Sequence, residues 1–139
     1  MENKVFLDTA FAIALSVESD EHHNRAVELS EQLEIEQTQL ITTVAILLEI
    51  GNALSKRRYR QAAIELLNAL EQDPQVEIVS ISDELFRQSF EMFSNRPDKD
   101  WRLIDCLSFI VMQERDLTEA LTTDEHFEQA GFSSLLKKN

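Results

Sequence analysis

KVFLDTAFAIAL (Lys4–Leu15) runs three apolar residues, Val5, Phe6 and Leu7, up to an aspartate and then continues in a helix-like apolar pattern. A short unbroken apolar run predicts a buried strand. Aspartate is a poor strand former and a poor helix-interior residue, so Asp8 marks the place where the buried segment surfaces. Asp8 either caps the following helix or begins a site.

Outward from this stretch, strand and helix signals alternate. TAFAIALSV reads as a helix that Asp8 or Thr9 could cap, and SDEHHNRAVELSEQLEI as a second, with Ala26, Leu29 and Leu33 on one face. TQLIT is a brief strand. The stretch 43–58 is a strongly apolar helix, and 60–74 another, closed by Pro74. VEIVSI is a strand, and 82–95 a helix that Ser82 could cap. Beyond Pro97, 100–116 reads as a helix, TEALTT as a strand, DEHFEQA as a helical turn and FSSLL as a last short strand. Such alternation predicts an α/β domain with an open, largely parallel sheet covered on both faces.

The 139 residues suit one domain, and a hydrophobic content of 43% can build its core. Two glycines and two prolines leave little room for linkers. The single cysteine, Cys106, excludes an internal disulfide and fits a reducing cytoplasm. No apolar run approaches the roughly 20 residues that span a membrane, and MENKVFLD does not read as a secretory signal. A net charge of −13 argues against holding nucleic acid by bulk electrostatics. It is compatible with an acidic metal site, a basic protein partner, or simply an acidic surface.

In parallel α/β sheets, ligands bind beyond the carboxyl ends of the strands. Asp8 finishes the first strand and Asp124 follows ALTT of the fourth. Glu49 sits among Leu47, Leu48, Ile50 and Leu54, where an unpaired carboxylate is costly to bury. Asp105 interrupts WRLIDCLSFIVM in the first turn of its helix, a place that also suits the helix dipole. Four converging carboxylates repel one another, and a divalent ion such as Mg2+ or Mn2+ resolves the repulsion.

FLDTA, ITTVAILLEIGNAL, DWRLIDCLSF and ALTTDEHFEQAGF, in this order and spacing, resemble the PIN-domain family, within it the VapC-type toxin ribonucleases. The resemblance covers essentially the whole chain, 1–139, as a single domain. It implies a three-layer α/β/α fold with a short, mostly parallel sheet, and an acidic pocket that binds Mg2+ or Mn2+ and cuts RNA. Position by position, Asp8, Glu49, Asp105 and Asp124 match the family's four acids. By that resemblance the first three hold a metal and Asp124 closes the site, while Thr9 and Thr123 fall where hydroxyl neighbours are common. Ile104 departs from the Ser or Thr that many members carry before the third acid. The implied partners are an RNA substrate, an antitoxin and a second copy of the chain, with apolar surface on FAIAL and AAIELLNAL available for docking.

Lys56, Arg57, Arg58 and Arg60 surround Tyr59 in the densest basic patch, suited to RNA phosphates, to an acidic partner segment, or merely to a solvated helix connection. Trp101, beside Lys99 and Arg102, could stack a base or anchor a helix start. His22 and His23 read as surface residues at a helix start, and Cys106 as core. His126 could assist the site but is not counted in it. Two other functions compete with a ribonuclease. A catalytically inactive PIN-like binding module is compatible with Ile104 and the acidic charge. A Mg2+-dependent phosphotransfer protein also wants Asp after the first strand, but lacks a second Asp at Ala10 or a lysine after EALTT.

Overall fold

Val5, Phe6 and Leu7 are almost completely buried in β1 (Lys4–Leu7), the middle strand of the sheet. The computed structural model describes residues 1–137. β2 (Gln39–Thr43) and β4 (Glu119–Leu121) flank β1, with β3 (Val76–Val79) outside β2 and β5 (Ser133–Ser134) outside β4. Every pairing is parallel. Parallel neighbours need crossovers, and helices supply them. α1 (Thr9–Ser16) and α2 (His23–Glu36) join β1 to β2, and α3 (Val44–Ala53) and α4 (Arg57–Gln72) join β2 to β3. α5 (Asp83–Asn95) and α6 (Leu103–Glu114) lead from β3 to β4, and α7 (Glu125–Gln129) from β4 to β5.

The chain steps from β1 outward to β2 and β3, then crosses back to lay β4 on the other side of β1. Right-handed crossovers in the two directions place helices on opposite faces. Accordingly α1 packs against α2, α3 and α4, while α6 packs against α5 and α7. The result is the three-layer α/β/α fold. The reversal of strand order lies between β1 and β4, where Leu7 pairs with Leu121. Asp8 therefore leaves the sheet beside Thr122, at the kind of switch point where open α/β sheets bind ligands.

Aromatic rings tie the sheet to α6. Phe109 meets Trp101 and Phe127 edge-on, at 5.1 and 5.0 Å between centroids, and Phe127 also faces Phe6 of β1. Truncating such a buried ring to alanine costs about 3–5 kcal/mol. On the other face Phe11, Leu29, Ile46 and Ile50 fill the space between helices and sheet.

Several boundaries differ from the sequence reading, for local reasons. The helix expected over 43–58 stops at Ala53, and extended backbone at Lys56 starts a new one at Arg57. α2 begins at His23 rather than Ser19. Asp20 accepts from His22 N at 2.8 Å, and His23 Nδ1 donates to Ala14 O at 2.8 Å, fixing the corner after α1. α6 begins at Leu103 rather than Asp100, because Asp105 turns back to accept the Arg102 N–H at 2.9 Å. Pairing in β4 ends at Leu121, so Thr122 and Thr123 serve the loop rather than the strand. The last strand is two residues long and runs into a 3-10 turn, Leu135–Lys137. Among the described residues no helix is long and apolar enough to cross a membrane.

Candidate active site

Asp8 holds the N-cap position of α1, yet its side chain makes no capping bond. Instead Oδ2 accepts from Thr122 Oγ1 at 2.7 Å, across the switch point. Thr122 Oγ1 in turn accepts from Asp124 N at 3.0 Å, so one buried hydroxyl links the loops that carry two acids. Asp8 is only 7% exposed. Burial pushes its carboxyl up from 3.8 to about 6; the Thr122 hydrogen bond opposes this, while the Glu49 and Asp105 charges add to it.

Thr43 caps α3 by accepting from Ile46 N at 3.2 Å, which fixes the helix that carries Glu49. Glu49 is 19% exposed and its Oε1 accepts from Thr9 Oγ1 at 2.8 Å. Asp105, in the first turn of α6, uses Oδ2 to accept from Arg102 N and lies 2.8 Å from His126 Nδ1 through the same atom. Asp124 caps α7 through Oδ1, which accepts from His126 N at 2.9 Å.

Each of the four carboxylates thus has one oxygen held by a protein donor. In three of them the second oxygen faces Arg102, with Glu49 Oε2 and Asp105 Oδ1 at 3.5 Å and Asp124 Oδ2 at 3.9 Å. Burial lowers the affinity of the Arg102 guanidinium for its proton, but Asp105, Glu49, Asp124 and Asp8 outweigh burial and raise it above the ordinary value. Ligand atoms of Asp105, Asp124 and His126 lie within 4.8 Å of one another. Carboxylate oxygens in this number, with one imidazole nitrogen, are a donor set that fits a divalent cation. Asp8, Thr9, Glu49, Asn52, Arg102 and Asp124 line the cleft above, with a volume of about 650 Å³.

Asp8, Glu49, Asp105 and Asp124 lie close together, and Arg102 joins them. Lys56, Arg57, Arg58 and Arg60 are exposed around the first turn of α4, three to seven residues beyond the cleft-lining Ala53. Trp101 is different. Its ring is 7% exposed, packs on Phe109, and donates from Nε1 to Gln129 at 3.0 Å, so it anchors the start of α6 rather than facing solvent. Cys106 is buried, and burial with the neighbouring Asp105 charge raises its thiol, which suits core rather than nucleophile. Ile104 packs against the core.

One residue of the site, Thr122, escaped sequence reasoning, and another, His126, was considered but not counted. The hydroxyl bound to Asp8 belongs to Thr122, not Thr123, and follows only from the β1–β4 register. His126 joins Asp105, 21 residues away; its offset of two from Asp124 in TTDEH was the one available signal.

A family model described as PIN domain matches residues 5–133. The 23S rRNA-specific endonuclease VapC20 of Mycobacterium tuberculosis, from strains CDC 1551 / Oshkosh and ATCC 25618 / H37Rv, is 26% identical over 128 residues. That match spans 92% of this chain and 95% of the relative. A crystal structure of M. tuberculosis VapC20, described as a Sarcin-Ricin loop cleaving toxin, superposes with a TM-score of 0.79. It is 25% identical in sequence and covers 92% of this chain and 95% of the other.

Proposed function

The chain belongs to the PIN-domain family, and on that premise we propose that it is a metal-dependent endoribonuclease, the toxin of a toxin–antitoxin pair. The observation that carries this reading is the set of four carboxylates, each pinned through one oxygen, with three free oxygens turned toward one cation. Acids with only a structural task would be capped or paired one by one. We read residues 1–139 as one such domain.

Mg2+ or Mn2+ suits the oxygen-rich donor set, with Asp8, Glu49 and Asp105 holding the ion and Asp124 closing the site. Such an ion lowers the pKa of a bound water and offsets charge that develops on the phosphate. The chain's own residues do the rest. Thr9 and Thr122 hold Glu49 and Asp8 in fixed rotations. His126 and Arg102 N fix Asp105. Cys106 is buried and offers the cleft no thiol, and on this reading attack falls to water in line with the scissile bond.

Lys56, Arg57, Arg58, Arg60 and Arg102 supply the local positive charge that meets RNA phosphates on an otherwise acidic protein. Similarity to VapC20 makes 23S rRNA the substrate to test first. Two apolar surfaces suit protein partners. A cavity of about 520 Å³ among α1, α2 and α4, lined by Phe11, Leu15, Leu33, Leu66 and Leu70, suits an antitoxin helix. Phe86, Phe90 and Phe93, exposed along α5, suit a second copy of the chain. The pair works in the cytoplasm, where Cys106 stays reduced.

The test is cleavage of 23S rRNA by the purified chain with Mn2+, Mg2+ or EDTA, beside Asp105→Asn. Metal-dependent cuts lost in the variant support the reading. Metal binding and RNA binding without any cut would favour the inactive binding module.

A further inference from the structure

We propose that Arg102 is a tethered competitor for the divalent ion, and that the ion's arrival hands its guanidinium to the RNA phosphate. The inference rests on the metal-dependent reading above. Arg102 faces Glu49 Oε2, Asp105 Oδ1 and Asp124 Oδ2, and on the reading above Glu49 and Asp105 would hold the ion beside Asp8 while Asp124 closes the site. At 3.5–3.9 Å the contacts exceed the 2.7–3.2 Å of an ordinary hydrogen bond, so charge rather than directed bonding holds the head in place. A dication and a guanidinium repel one another and compete for these oxygens.

The geometry also says where Arg102 goes. Its backbone N–H is fixed on Asp105, so the residue stays at the mouth of the cleft. Its side chain is 60% exposed and lines the cleft wall, so the head can turn outward without disturbing the core. The anion that then comes to the cleft is the phosphodiester, and a planar guanidinium fork matches phosphate oxygens. The polar N-cap residues that helices prefer, Ser, Thr, Asp or Asn, would leave the cluster without this cation.

This predicts opposite signs in two measurements. In Arg102→Gln, Mn2+ measured by titration calorimetry should bind about tenfold tighter, the scale set by displacing a few weak, exposed ion pairs. Affinity for a cleavage-resistant phosphorothioate RNA, with Mn2+ present, should fall about tenfold. Arg102→Lys keeps the charge and should bind Mn2+ close to the native chain, which separates charge from any effect on the start of α6. If Arg102→Gln binds Mn2+ no tighter than the native chain, while Asp8→Asn abolishes binding, Arg102 is no competitor and the metal site stands. Tighter Mn2+ with unchanged RNA affinity overturns the transfer to phosphate. If neither the native chain nor Arg102→Gln binds Mn2+, the metal-dependent reading itself falls.

Discussion

Replacing Asp8 by asparagine should stabilise the metal-free protein, by an amount that grows with pH. Burial raises the folded-state carboxyl to about 6, against 3.8 for the ordinary group. Below about pH 3.8 Asp8 is protonated in folded and unfolded chains alike, and its neutral form sits in the pocket at no electrostatic cost. As pH rises toward 6 the unfolded chain releases the proton and the folded chain still holds it. The native protein therefore loses stability over this window, and above pH 6 the loss is complete. A gap of about two pH units corresponds to about 3 kcal/mol. Asparagine is neutral throughout, and its carbonyl can still accept from Thr122. The difference between variant and native protein should thus run from near zero at pH 4 to about 3 kcal/mol at pH 7.5. Urea unfolding in EDTA at several pH values reads it directly, and effects of titrating groups not coupled to Asp8 cancel in the difference. Mn2+ at 1,000 times its dissociation constant should reverse the order, because it adds about 4.1 kcal/mol to the native chain, while the variant has lost a ligand. A difference that stays flat from pH 4 to 7.5 would refute the reasoning, since it would mean the Asp8 charge is solvated in the folded state.

Glu49→Gln should abolish RNA cleavage while apo stability holds or rises, because one repelling charge is gone; normal cutting, or activity lost only in step with folding, removes Glu49 from the catalytic set. Arg57→Ala with Arg58→Ala should weaken RNA binding and reduce its salt slope by about one per lost phosphate contact. An unchanged slope would leave the patch as a helix connection or a protein-docking site. Trp101→Phe drops the hydrogen bond to Gln129 and should cost about 1 kcal/mol in unfolding with RNA affinity unchanged; weaker RNA binding at native stability would make Trp101 a stacking platform after all.

Alternating strand and helix signals, the acids at two strand ends and the acid within the apolar run before Gly51 are local properties of the chain. They were legible because burial on both sheet faces leaves an unbroken apolar run, and because a carboxylate amid leucines is conspicuous. Helix limits were less legible, since a side chain folding back on its own backbone sets them, as Asp105 does at Arg102. What only the tertiary structure decided is the strand order that puts β4 beside β1. That order, not proximity in sequence, brings Thr122 to Asp8 and His126 to Asp105, and it buries Trp101 among Phe109 and its neighbours. It also places Arg102 before three acids drawn from α3, α6 and the loop after β4. Periodicity records which face of an element is apolar. It carries no record of which element lies across from that face, because that choice depends on packing the whole chain at once.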